Sequence, residues 1–182
     1  MDVQGEVERT QGDGEARRAA LAGKYLTFEL GGDAYGLEIL KVREIIGLLE
    51  ITRVPRAPAV VRGVINLRGR VIPVLDMRAR FGLPAEAATE QTVIIVVQCV
   101  TGGRPLTMGI LVDRVLEVHA IDAAGIEPPP DLGGAAVEGA FILGVGKAGG
   151  RIVFLLDLDR ILDDGAAGSV ADLAEAGGTI NS

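Results

Sequence analysis

One block of this chain occurs twice. Gly63-Val64 and Gly69-Arg70-Val71-Ile72-Pro73-Val74-Leu75-Asp76 align with Gly144-Val145 and Gly150-Arg151-Ile152-Val153-Phe154-Leu155-Leu156-Asp157 at a constant offset of 81. Upstream, Gly36, Val42, Glu44, Ile45 and Pro55 align with Gly109, Val115, Glu117, Val118 and Pro128 at an offset of 73. The eight-residue difference between 81 and 73 falls in the loop from Pro128 to Ala136, where an insertion costs little. A duplicated unit holding about five short strands predicts two similar β-subdomains, and units that small manage their sheet edges best by closing into barrels.

The residues inside each unit favour strands. Val, Ile and Leu dominate the apolar residues, with Phe 4, Tyr 2 and Trp 0, and aliphatic β-branched side chains suit a pleated, half-buried surface. From Lys24 the strand signals are dense: an apolar run through Tyr25, Phe28 and Leu30, a turn at Gly31-Gly32-Asp33, and a return strand from Ala34 to Ile39. Leu40 to Ile46 allows one helical turn before strand pairing resumes. Two strands follow around Arg68-Gly69, and Met77 to Phe81 is a short helical exit. Residues 1–23 are polar and read as a flexible N-terminal arm, helical near Glu15 to Leu21. Residues 24–164 read as the folded domain, a subdomain of about 24–80 and its repeat of about 90–162, with strand exchange at their ends possible. Residues 165–182 read as a C-terminal tail in which Ser169 could cap a short helix through Glu175.

Charge and residue usage exclude several functions. A net charge of -7 repels phosphate backbones, and the basic residues between Arg53 and Arg80 lack interleaved aromatics, so nucleic acid is not the expected partner. The N-terminus is no signal peptide and no apolar run reaches the length of a membrane span, which predicts a cytosolic chain. Cys99 is the single cysteine, within an apolar run, and reads as a buried inert thiol. His119 is the single histidine and reads as a surface or edge residue. The serines, Ser169 and Ser182, both lie in the tail. No catalytic constellation, metal site or cofactor motif can be assembled. Asp76 and Asp157 read as helix caps, and Gly144 to Gly150 reads as a hairpin loop rather than a phosphate loop.

A binding module remains. Ile39, Val42, Ile45 and Ile46 recur at i, i+3, i+6 and i+7, so one turn could project an aliphatic stripe toward a groove between the subdomains. Arg68 sits at a tight turn, and the hairpin order makes Glu44 a candidate ion-pair partner that would hold the segment around Val42 in register. A small-ligand regulator using the inter-barrel cleft is the rival from another class. It would need convergent polar groups in that cleft, and the sequence offers mainly aliphatic ones.

Three blocks carry a resemblance. Pro58 to Asp76 (PAVVRGVINLRGRVIPVLD), Tyr35 to Ile45 (YGLEILKVREI) and Gly109 to Val118 (GILVDRVLEV) resemble, in order and spacing, the CheW-like domain family. The resemblance runs from about Lys24 to Leu162. It implies a mainly β fold, two five-stranded SH3-like β-barrel subdomains with an apolar groove between them and few short helices. It also implies a scaffold that holds the cytoplasmic tip of a chemoreceptor and the regulatory domain of the histidine kinase CheA, with membrane association only through the receptor. By the resemblance, the receptor-binding groove would contain Leu26, Ile39, Val42, Ile45 and Val115. Glu44 and Arg68 would form a conformation-setting ion pair, and the kinase-contacting residues stay unassigned. The same module could serve a pilus-motility or gene-regulatory pathway.

Overall fold

Each half of the chain lends its first hairpin to the other half. The computed structural model describes residues 3–129 and 141–163. The first unit contributes β1 (Gly23–Leu30), β2 (Asp33–Glu38), β3 (Val42–Gly47), β4 (Val61–Leu67) and β5 (Arg70–Asp76). The second contributes β6 (Val93–Thr101), β7 (Arg104–Val112), β8 (Arg114–Ile121), the two-residue β9 (Ile126–Glu127), β10 (Ile142–Ala148) and β11 (Arg151–Leu156). The strands form two sheets, ordered β8-β1-β2-β11-β10-β9 and β3-β6-β7-β5-β4. The β1–β2 hairpin therefore lies in the sheet of the second unit, and the β6–β7 hairpin in that of the first. The expected exchange at the ends involves a whole hairpin from each unit.

The repeat is a repeat of register as well as of sequence. Val42 pairs with Val97 and, past a bulge, Glu44 with Val96; Val115 pairs with Phe28 and, past a bulge, Val118 with Leu26. Val61 pairs with Leu75 and Gly63 with Val74 around a bulge, as Ile142 pairs with Leu156 and Gly144 with Leu155. The parallel pairs correspond too: Val74 with Gly109 and Leu155 with Gly36. Bulges kept at equivalent positions bend both sheets alike, which small barrels require.

One main core spans both sheets. Leu26, Phe28, Leu30 and Leu37 of the first sheet join Val74, Leu75, Ile95, Val97, Met108 and Ile110 of the second in a continuous cluster. A smaller cluster of Tyr25, Ala34, Ile121, Ile126, Val153 and Leu155 lies within the first sheet. Tyr35 of β2 stacks on Phe28 and Phe81 at ring distances of 5.8 and 5.3 Å and lies 5.7 Å from Phe154, so most of the few aromatics meet at one point. Truncating a fully buried leucine here, such as Leu37 or Leu75, costs about 2–5 kcal/mol.

Short helices join and end the units. Helix α2 (Met77–Arg80) is capped by the Asp76 carboxylate, which accepts from the Arg78 and Ala79 amides. At α3 (Leu158–Asp163) the Asp157 carboxylate accepts from the Arg160 amide, while Leu158 and Ile161 enter the main core. The helical turn expected near Glu15 to Leu21 extends back to Val3 as α1 (Val3–Leu21). Its last residue packs on the smaller core, and the Tyr25 hydroxyl donates to the Leu21 carbonyl at 2.5 Å. The helix expected from Ser169 to Glu175, and the loop insertion from residue 130 onward, lie outside the described residues.

Candidate functional site

Among the described residues, four two-residue hairpin turns have a left-handed backbone at both positions, and three of them are Gly-Gly: Gly31-Gly32, Gly102-Gly103 and Gly149-Gly150. The fourth is Arg68-Gly69, with φ 54° at the arginine. An L side chain is disfavoured there, and the repeat equivalent of Arg68 is Gly149 (68 plus the offset of 81). The arginine is thus held where the backbone prefers glycine, and its contacts show what it does. Its Nη1 and Nη2 donate to the two Glu44 carboxylate oxygens at 2.7 and 2.8 Å, a bidentate fork. The Asn66 side chain supports the turn by accepting from the Gly69 amide at 2.9 Å. The Arg68 hydrogen bonds hold the Glu44 carboxyl below the ordinary carboxylate range, outweighing the opposing effect of burial.

This pair bridges the two ends of a sheet. In the order β3-β6-β7-β5-β4, β3 and β4 are the two ends. Arg68 in the β4–β5 turn reaches Glu44 on β3 and so brings the ends together. Glu44 lies between Arg43 and Ile45 on an edge strand whose residues alternate between half-buried and exposed.

The aliphatic residues expected at the groove separate into three environments. Ile39, Val42 and Val115 are partly buried and pack on the main core. Leu26 is only 3% exposed and belongs to that core. Ile45 is 43% exposed. The stripe does not form one helical face, because only Ile39–Lys41 is a 3-10 turn and Val42–Gly47 is a strand. The strand alternation puts Val42 and Ile46 toward the core and Ile45 toward solvent. Leu40 on the 3-10 turn is 88% exposed, and Leu48 and Leu49 beyond the strand are 44% and 40% exposed. Around β3 the exposed aliphatic residues are thus Leu40, Ile45, Leu48 and Leu49, three of which lie outside the expected groove set. The signal for Leu48 and Leu49 was an apolar run, Ile45-Ile46-Gly47-Leu48-Leu49, continuing past the end of β3.

A second polar assembly lies beside this surface. Arg78 donates to the two oxygens of Asp113 at 2.7 and 2.6 Å and to the Pro84 carbonyl at 2.9 Å. Asp113 also accepts from the Gly31 amide at 2.9 Å. Burial alone would raise the Asp113 carboxyl, but the Arg78 and Gly31 hydrogen bonds outweigh it and hold it below its ordinary range. This clamp ties α2, the β1–β2 turn and the β7–β8 junction together.

The clamp lines a cleft of about 430 Å³ whose other walls include Leu48, Leu49, Arg53 and Thr92. Four arginines and four carboxylates line it, which is more polar than the sequence suggested. They are largely committed to each other: Arg78 with Asp113, Arg62 with Asp76, and Arg114 with Glu29. Such mutual neutralisation leaves little field to attract a charged small ligand. Cys99 is buried, its thiol pushed up to about 12 by burial. Among the described residues no cluster is placed to hold a metal ion, and no helix is long and apolar enough to cross a membrane.

Comparison with known proteins gives the same picture. The CheW-like domain matches residues 24–166. The chain is 34% identical over 153 residues to the chemotaxis protein CheW of Klebsiella aerogenes, covering 84% of this chain and 89% of that protein. It is 38% identical over 136 residues to that of Rhizobium meliloti, covering 75% and 84%, and 33% identical over 150 residues to protein FrzA of Myxococcus xanthus, covering 81% and 90%. The crystal structure of the scaffolding protein TtCheW from Thermoanaerobacter tengcongensis superposes with a TM-score of 0.68 at 32% identity, covering 80% of this chain and 96% of that one. With the duplicated unit, the exchanged hairpins and the matched region all coinciding, this chain belongs to the CheW-like domain family.

Proposed function

We propose that this protein is a chemotaxis scaffold, a non-enzymatic cytoplasmic adaptor that holds the tip of a chemoreceptor and the regulatory domain of the histidine kinase CheA in one complex. The observation that carries the proposal is the edge strand β3. It carries exposed Ile45 and half-buried Val42, follows the 3-10 turn that holds half-buried Ile39, and is tied to the β4–β5 turn by the Arg68–Glu44 pair. In this reading Ile45 is the exposed part of the receptor site, Ile39, Val42 and Val115 form its half-buried part, and Leu26 supports them from the core. The ion pair sets the position of β3, so that receptor helices meet a preformed surface.

Burying aliphatic surface supplies affinity, and a second face takes the kinase. Holding two partners on one body raises their effective concentration to about the millimolar range of a short tether. No bond is made or broken on the adaptor, and it needs no cofactor. The likeness to protein FrzA keeps open the same adaptor role in another chemosensory pathway.

The test is a reconstituted kinase assay with a receptor signalling fragment. Receptor-dependent control of kinase autophosphorylation should appear only when the chain is added and should saturate with it. Identical kinase rates with and without the chain, with all components folded, would refute the coupling role.

A further inference from the structure

One carboxylate on α3 joins three elements at the entry to β3. Asp159 accepts from Lys41 Nζ at Oδ2 (3.2 Å) and from the Val100 backbone amide at Oδ1 (3.0 Å). The strand pairing explains why Val100 needs an acceptor there. β3 pairs with β6 only from Val93 to Val97, the partner of Val42. Past Val97 that edge of β6 has no strand beside it, and α3 supplies the acceptor instead.

A tie of the same design occurs in the other half of the molecule with its charges exchanged. Asp159 is the repeat mate of Arg78 (159 less the offset of 81), and both stand two residues after the aspartate that caps their helix. Arg78 bonds Asp113, the residue before β8, and Asp159 bonds Lys41, the residue before β3. In each tie the carboxylate also accepts a backbone amide from the turn end of an exchanged hairpin, Gly31 for Asp113 and Val100 for Asp159. The helices are joined in turn, the Arg80 Nε donating to the Ile161 carbonyl at 2.9 Å. A short helix, an exchanged hairpin and the entry to an edge strand thus meet at one ion pair in both halves. The two edge strands are those that carry Val42 and Ile45, and Val115.

We infer that Asp159 is a positioning residue of the receptor site: through Lys41 it fixes the 3-10 turn from which β3 starts, and so the line on which Val42 and Ile45 are presented. This rests on the assignment of β3 to the receptor under the proposed function. The turn contains no buried residue, and Leu40 at its centre is 88% exposed, so packing alone holds it weakly. Lys41–Asp159 grips the chain one residue before β3 and Glu44–Arg68 grips it within the strand, on either side of Val42. The Lys41 and Asp159 side chains are 29% and 37% exposed, and a pair so open to solvent adds little to stability. Its effect falls instead on the order of a turn that a receptor would otherwise have to fix on binding.

The test is calorimetry of full-length Lys41→Met, Asp159→Asn and the double variant against a receptor signalling-tip fragment and, separately, the kinase regulatory domain, with Ile45→Asp run alongside. Asp159→Asn keeps an acceptor for the Val100 amide and removes the charge that holds Lys41. Each single variant should weaken receptor binding about three- to tenfold, the ordering cost of one or two freed side chains. The melting temperature should stay within about 3 °C of wild type, and affinity for the kinase domain should not change. The double variant should bind no more weakly than the worse single, since both substitutions remove one interaction. Unchanged receptor affinity in all three, with binding weakened in Ile45→Asp, would overturn the inference and leave the receptor site standing. Losses that add in the double variant, or that fall on receptor and kinase domain alike, would also overturn it, the latter as the mark of a merely structural role. Unchanged receptor affinity in Ile45→Asp would remove β3 from the receptor site, and the inference with it.

Discussion

Replacing Ile45 by aspartate removes one exposed anchor and leaves the fold alone. Val42 is the more obvious target, but it packs on the main core opposite Val97, so a charge there would confound binding with unfolding. Ile45 is 43% exposed on the solvent side of an edge strand. That fraction of an isoleucine surface is roughly 80 Å², which at about 25 cal/mol per Å² is about 2 kcal/mol of binding free energy. This corresponds to roughly a 30-fold rise in Kd before the cost of desolvating the new carboxylate is added. Calorimetry against a receptor signalling-tip fragment measures it, with thermal unfolding as the control for folding. Ile152→Asp, on an equally accessible position of β11 (57% exposed), should leave receptor affinity unchanged. A Kd for Ile45→Asp within twofold of wild type, with the melting temperature preserved, would refute the assignment of β3 to the receptor.

Other perturbations test the framework around that surface. A Cβ on Gly63 would lie 2.2 Å from the Thr52 carbonyl oxygen at φ 148°, so Gly63→Ala should destabilise by about 3 kcal/mol, overpacking added to backbone strain. The milder 3.0 Å contact at its repeat mate Gly144 should cost clearly less, as denaturant unfolding of both variants would show. Arg68→Glu should weaken receptor-dependent kinase control, and Glu44→Arg added to it should restore part of the loss; a double variant no better than the single would separate the pair from function. Asp113→Asn should lower the melting temperature at pH 7. Because the folded carboxyl titrates below its unfolded value of about 3.9, the stability it supplies is present above that pH and lost as pH falls through the folded value, so the gap to wild type should close in acid. Cys99, with its thiol near 12, should react with a thiol reagent at pH 8 only in denaturant; rapid labelling of the native protein would contradict its burial.

The repeat made much of this architecture legible. The offsets of 73 and 81 are the spacings at which equivalent residues pair, bulge for bulge, because a bulge is encoded locally by the strand that carries it. The exchanged hairpins were not legible in detail. A β1 strand reading Tyr25-Leu26-Thr27-Phe28 satisfies either sheet, and only packing across the shared core decides between them. The Arg68–Glu44 pair could be anticipated because Arg68 sits at a tight turn and the hairpin order makes Glu44 a candidate partner for it. The Arg78–Asp113 clamp could not, since nothing local to either residue points 35 positions along the chain. The spacing of Ile39, Val42, Ile45 and Ile46 has a helical period, but only Ile39–Lys41 forms a 3-10 turn and the bulged strand that follows carries the rest.

The central claim is that one molecule binds receptor and kinase at the same time, on separate faces. Light scattering coupled to size exclusion, on the chain mixed with a receptor signalling-tip fragment and the kinase regulatory domain, tests it most directly. The account predicts a ternary species with the summed mass of all three, which Ile45→Asp reduces to the adaptor–kinase pair. Displacement of one partner by the other, or binding to neither by a folded sample, would contradict it.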